Sequence, residues 1–154
     1  METIHSISEV QEAVKAELAK NTYFVEHGVP VLVENSKEIE FEIKSAMTSL
    51  GITATIATPS LTYRGDYGRN GENDPFWEIN ALNVVVVENP VLNRGRANYA
   101  TALDVALQVA YSLNELPTVG LATINQTAQG GLVVVTVSAK TNIGFMLEKN
   151  TPEL

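Results

Sequence analysis

Four consecutive valines, Val84 to Val87, are followed by a polar turn and a long apolar helix, and this succession limits the fold more than any other part of the chain. Residues 83–113 read NVVVVENPVLNRGRANYATALDVALQVAYSL. β-Branched side chains pack well on a pleated surface and are stiff in a helix. With no polar residue among the four, no solvent face alternates, and a strand covered on both sides is expected. The turn Glu88-Asn89-Pro90-Val91-Leu92-Asn93-Arg94-Gly95-Arg96 carries groups suited to recognition. It holds no nucleophile with a base beside it. The helix after Arg96 is expected to start near Asn98 or Thr101 and to end at Leu113 or Asn114. Its buried face is read as Leu103, Ala106, Leu107, Ala110 and Leu113.

The rest of the chain alternates in the same way. Ser6 and Glu9 have the spacing of a capping box, predicting a helix over 6–20 with Val10, Ala13, Val14 and Leu18 on one stripe. Val29 to Glu34 is short and β-branched, a strand. Asn35 or Ser36 caps a second helix to Leu50, with Ile39, Ile43, Ala46, Met47 and Leu50 on one face and Gly51 at the left-handed position after its end. Ile52 to Ala57 is the next strand, extended by Thr58 to Tyr63 past Pro59 at an edge or bulge. The segment RGDYGRNGENDP, residues 64–75, reads as a long hairpin loop. Trp77 to Glu88 returns, so 52–88 forms one extended hairpin. Val119–Thr127 and Leu132–Thr141 are strands joined at Gly130-Gly131. Residues 142–154 are a short tail in which Phe145-Met146-Leu147 can dock. The order α-β-α-β-β-α-β-β implies an α+β domain with a mainly antiparallel sheet and helices packed on one face.

At 154 residues one domain, 1–154, is expected, large enough to bury a core without staples. There is no cysteine, hence no disulfide and no thiolate metal site. No apolar run approaches the ~20 residues that span a bilayer, and Met1-Glu2-Thr3 does not open a signal peptide. The net charge of −8 repels phosphate backbones in general. Residues 1–42 hold nine acids against three lysines, whereas all four arginines, Arg64, Arg69, Arg94 and Arg96, fall in two loops. That split either gives two electrostatic faces suited to head-to-tail contact between copies, or is a solvated charge distribution without a partner.

Candidate chemistry is sparse. His5 and His27 lack a second ligand at metal spacing. Glu38, Glu40 and Glu42 splay around a helix and suit its N-terminal turn. Asp66, Glu72 and Asp74 share a loop, but not in the pattern of a calcium loop. Gly65, Gly68 and Gly71 recur every third residue and lead into a strand, so no helix N-terminus receives a phosphate. Arg64-Gly65-Asp66 spells an integrin-binding tripeptide, a short match in a glycine-rich loop. In the 88–96 turn, Asn89 and Asn93 can hold the turn, Pro90 pushes Asn89 towards an extended form, and Arg94 and Arg96 can reach a neighbour's carboxylates. The turn is either a stiff surface loop or a subunit contact. No catalytic residue, cofactor or metal is expected.

The valine strand, the run Glu88-Asn89-Pro90-Val91-Leu92-Asn93-Arg94-Gly95 and the helix from Ala100 to Leu113 resemble small tail-completion or tail-terminator proteins of long-tailed bacteriophages. The order of elements is similar over most of the chain. The resemblance implies a structural virion protein of the tail or neck, assembled in the host cytoplasm, that forms a ring, usually of six subunits. Such a ring caps the tail tube and joins it to head-completion proteins, while DNA passes the channel without specific binding. Arg64, Asp66, Arg69, Asp74, Asn89, Asn93, Arg94 and Arg96 are then the candidate contacts with neighbouring subunits. In one respect the chain departs from the family: a glycine- and lysine-rich run is expected after Asn-Arg-Gly, and Arg96-Ala97-Asn98-Tyr99 stands there instead. Another head–tail connector, a tube protein, or a small ligand-binding or catalytic α+β domain are the alternatives.

Overall fold

The computed structural model describes the backbone of residues 2–4, 6–67 and 74–146, and the side chains of residues 6–64 and 77–144. In chain order the elements are β1 (Glu2–Ile4), α1 (Ile7–Ala19), α2 (Tyr23–Glu26), β2 (Val31–Val33), α3 (Ile39–Ser49), β3 (Ile52–Ile56) and β4 (Ser60–Tyr67). There follow β5 (Asp74–Glu88), α4 (Pro90–Asn93), α5 (Ala102–Asn114), β6 (Val119–Gln129), β7 (Leu132–Thr141) and β8 (Ile143–Met146). The eight strands form one mixed, mainly antiparallel sheet, so the α+β class holds.

β5 is its spine. One edge of β5 takes β3 along residues 84–88 and β4 along 74–81, and the other takes β7 along 81–88 and β8 along 76–78. The expected extended hairpin is therefore present, broken at residues 57–59, with the register shifting between Ser60 and Leu61. β4 persists to Tyr67 and β5 resumes at Asp74, so the expected 64–75 loop is shorter at both ends; residues 68–73 lie outside the described residues. The segment from 142 is not simply a tail: β8 pairs β5 and, in parallel, β1. β1 has no signature of its own, since three residues become a strand only by finding a partner. β2 lies parallel to β3, with α3 as the crossover between them.

Strand parity decides what is buried. Rows such as Ala54–Val86–Val135 and Ile56–Val84–Val137 run across β3, β5 and β7 on the face that α1 and α5 cover, and all six side chains are buried. α1 begins at the Ser6 cap, whose Oγ accepts the Glu9 N–H at 3.2 Å, and inserts Val10, Val14 and Leu18. Gln11 is buried beside them in place of the expected Ala13, which is exposed.

Two expectations fail on this sheet. The valine strand is not covered equally on its two faces: Val84 and Val86 are fully buried, while Val85 and Val87 are half-buried. Among the described residues α3 lies against the opposite face over β2 and β3, where the Thr53 hydroxyl meets Met47. α3 buries little more than Ala46 and leaves Phe41 exposed, so it is the one long helix away from the α1–α5 layer. α5 is also turned from its expected phase. It buries Ala102, Val105, Ala106, Val109, Ser112 and Leu113 and exposes Leu103, Leu107 and Tyr111. The helix carries apolar residues on both sides, and the small and branched ones fit the close approach to the sheet.

Candidate functional site

The parity that buries Val84 and Val86 also turns Glu88, the last residue of β5, into the protein interior, where it is fully buried. An isolated carboxylate there would be costly. The turn that follows meets that demand. Asn89 is extended (φ −95°, ψ 101°), as expected before Pro90, and Pro90 opens the short helix α4. α4 returns Asn93 and Arg94 to the carboxylate. Asn93 Nδ2 donates to Glu88 Oε2 at 2.6 Å and to the Ala100 carbonyl at 2.9 Å. Arg94 donates in a fork, Nε to Oε2 and an Nη to Oε1, both at 3.2 Å. The Ala102 N–H, in the first turn of α5, donates to Oε1 at 3.2 Å. Glu88 therefore sits at the positive end of the α5 dipole, and Thr101 caps the same turn by accepting from the Asp104 N–H.

The arrangement extends outward through Arg96, which donates to Asn93 Oδ1 at 2.7 Å and to the His27 carbonyl at 3.3 Å. His27 Nδ1 donates to the Asn98 carbonyl at 2.7 Å. Two glycines admit this packing. At Gly51 (φ +77°) a Cβ would lie 2.9 Å from the Asn93 backbone nitrogen. At Gly28 (φ +61°) it would lie 2.7 Å from an Arg96 Nη. Gly51 also accepts the Asn89 N–H at 2.7 Å, tying the turn to the start of β3.

Burial alone would raise the Glu88 pKa, but the hydrogen bonds from Arg94, Asn93 and Ala102 outweigh it, and the carboxyl is held below its ordinary 4.5. A carboxylate held below its ordinary value, with both oxygens occupied, is a poor proton shuttle at neutral pH. Its physical role is to lock a strand end, a turn and a helix start together. The described clefts lie elsewhere. One of about 290 Å³ is lined by apolar residues including Val14, Leu82, Leu116 and Ile143. Another of similar size is polar and lies between the ends of α1 and α5.

The expected contact residues thus separate. Asn93 and Arg94 converge on Glu88, Arg96 bears on it only through Asn93, and Asn89 supplies backbone. Arg64 pairs instead with Glu78 at 2.7 Å, ten positions away on β5, so the two arginine-bearing segments lie roughly 30 Å apart along the strand. Asp66 and Asp74 lie in β4 and β5, but their side chains, with the whole of Arg69, lie outside the described residues, as do His5 and Glu72. Glu88 was not among the residues read as contacts, although its even spacing from Val84 and Val86 marks it as inward-facing. Among the described residues, no group of three or more histidine, aspartate or glutamate side chains could hold a metal ion.

No family model and no curated protein matches the chain. Among solved structures it is similar to a biotin protein ligase from Leishmania major in complex with biotinyl-5-AMP, at 11% identity and a TM-score of 0.26, over 82% of this chain and 59% of that one. It is also similar to the Acinetobacter baumannii histidine kinase AdeS, at 15% identity and a TM-score of 0.28, over 85% and 64%. The chain spans about three-fifths of the length of each, and overlap at this level carries no argument about function.

Proposed function

We propose that the chain is a non-enzymatic structural protein of a phage tail. In this reading it self-assembles into a ring, of six copies by the family resemblance, that caps the tail tube and joins it to head-completion proteins. It would act in the virion neck after assembly in the host cytoplasm. The observation that carries the proposal is the inverted packing of α5. Its alanines and valines face the core, while Leu103, Leu107 and Tyr111, exposed by 45%, 54% and 64%, form a stripe at i, i+4, i+8 on the outside. Tyr99 is exposed just ahead of them. Large apolar side chains gathered on one exposed stripe mark a contact surface, whereas scattered ones do not.

A ring requires two different patches that meet head to tail. Arg94 is half exposed while held by Glu88, so its outer side remains free to meet an acidic neighbour. The net charge of −8 disfavours phosphate contact and suits a channel that DNA traverses without binding. No helix among the described residues is long and apolar enough to cross a membrane. Electron microscopy of the purified protein tests the proposal: single rings are expected, stacked polymers identify a tube protein, and dispersed single copies at all concentrations contradict it. The rival reading, a small catalytic or ligand-binding domain, would use Glu88 as its buried carboxylate, and the lowered pKa and saturated oxygens of that group speak against proton transfer there.

A further inference from the structure

Among the described residues four strands of the sheet have a single partner: β1 pairs only β8, β2 only β3, β4 only β5 and β6 only β7. β1 and β2 are three residues each and β4 is eight, whereas β6 is eleven, and its sequence VGLATINQTAQ contains no charge and no proline. Eight of its eleven residues are exposed, and its one partner, β7, leaves the other backbone edge unpaired among the described residues. Natural edge strands are usually kept from pairing by charges, proline, bulges or brevity. The only irregularity in β6 lies between Val119 and Ala122, which leaves Ala122–Gln129 regular. In a chain with 28 charged side chains, an edge this clean is a surface made for a strand.

Strand direction and length identify which one. In a copy of the same orientation β1, β2 and β4 all run antiparallel to β6. β1 and β2 span three residues each and β4 spans eight, so β4 is the edge that matches β6 in length. β4 is antiparallel to β5, β5 to β7, and β7 to β6. A second copy placed beside the first in the same orientation therefore brings its β4 antiparallel to β6, and the alternation continues unbroken. β4 meets β5 along residues 74–81, while β6 lies level with residues 81–88 through β7. Joining them offsets successive copies along the strands, as strand tilt does wherever a sheet closes on itself. Among the described side chains, the two large apolar ones exposed on strands fall on these two strands, Leu121 on β6 and Tyr63 on β4. Pairing β6 with β6 about a twofold axis would close a dimer and end assembly there. We propose that the β6 edge of one copy takes the β4 edge of a second copy of this chain as an added antiparallel strand. This inference rests on the ring reading and specifies where its subunits join.

The absence of cysteine allows a direct test by crosslinking. Asn125→Cys on β6 and Thr62→Cys on β4 are prepared separately and together, and treated with a short bismaleimide after light scattering has recorded the assembly state. The mixture of single variants should give a covalent dimer that neither gives alone, and the double variant a ladder of multimers. Crosslinking of Asn125→Cys by itself would overturn the β4 assignment in favour of a twofold β6 pair. Assembled protein with no crosslink in the mixture would overturn the edge inference and leave the ring reading standing. Protein that never assembles, including the unsubstituted chain, would overturn both. Asn125→Lys, which places a charge on the edge, should abolish the high-mass species while leaving the circular dichroism spectrum unchanged.

Discussion

The end of β5 at Glu88 and the outer rim formed by α5 and β6 treat polar and apolar groups in opposite ways. At Glu88 four donors from three residues converge on one buried carboxylate, and two of the arginines expected to reach neighbouring copies hold their own chain together. At the rim, leucine and tyrosine side chains and an uncharged strand edge face outward. The charges of the 88–96 turn are committed to internal order. In the proposed ring, contact with other copies would then fall to apolar surface and backbone, with at most the outer side of Arg94 added.

The sharpest way to break that contrast is to disturb the packing behind Glu88. Gly51→Ala must place a Cβ against the Asn93 backbone nitrogen from a left-handed conformation, and should cost roughly 2–4 kcal/mol in urea unfolding. Glu88→Gln keeps the shape and removes the charge; a loss of about 2 kcal/mol at neutral pH is expected. The sign of its pH dependence follows from the depressed pKa. The unfolded chain binds the proton first, so the stability contributed by Glu88 is fully present above about pH 4.5 and falls as acid approaches the folded-state value. The unsubstituted protein should lose stability across that window, and Glu88→Gln should lose less; identical acid profiles would show that the carboxylate is not clamped.

The rim should respond in the opposite sense. Leu103→Ser with Leu107→Ser should leave unfolding free energy within about 0.5 kcal/mol per site, as for other surface changes, yet abolish high-mass species in light scattering. Smallest of all, Arg64→Ala removes a half-exposed pair with Glu78 and should change stability by less than about 1 kcal/mol.

Much of the fold was legible because its signals are local. The Ser6 cap, the glycine after α3, the Gly130-Gly131 turn with φ of +56° and +81°, and the valine strand all lie where the residues place them. What was not legible depends on partners. β1 and β8 are short and exist by pairing, and α2 and α4 are single turns that their surroundings select. The phase of α5 was ambiguous because two apolar stripes compete, and only the spacing between helix and sheet favours alanine and valine inside. In the candidate site, Asn93, Arg94 and Arg96 could be named from the turn, but the Glu88 target of Asn93 and Arg94 could not, because no spacing rule ties a turn arginine to the preceding strand end. Parity along Val84, Val86 and Glu88 was the available clue.

Ring assembly through the exposed α5 stripe is decided by the mass of the native particle. Light scattering on the purified chain, run beside the Leu103→Ser, Leu107→Ser variant at matched concentration, should show a closed multimer for the former and single folded copies for the latter. A single-copy mass for the unsubstituted chain at every concentration, or an unchanged multimer in the variant, would contradict it.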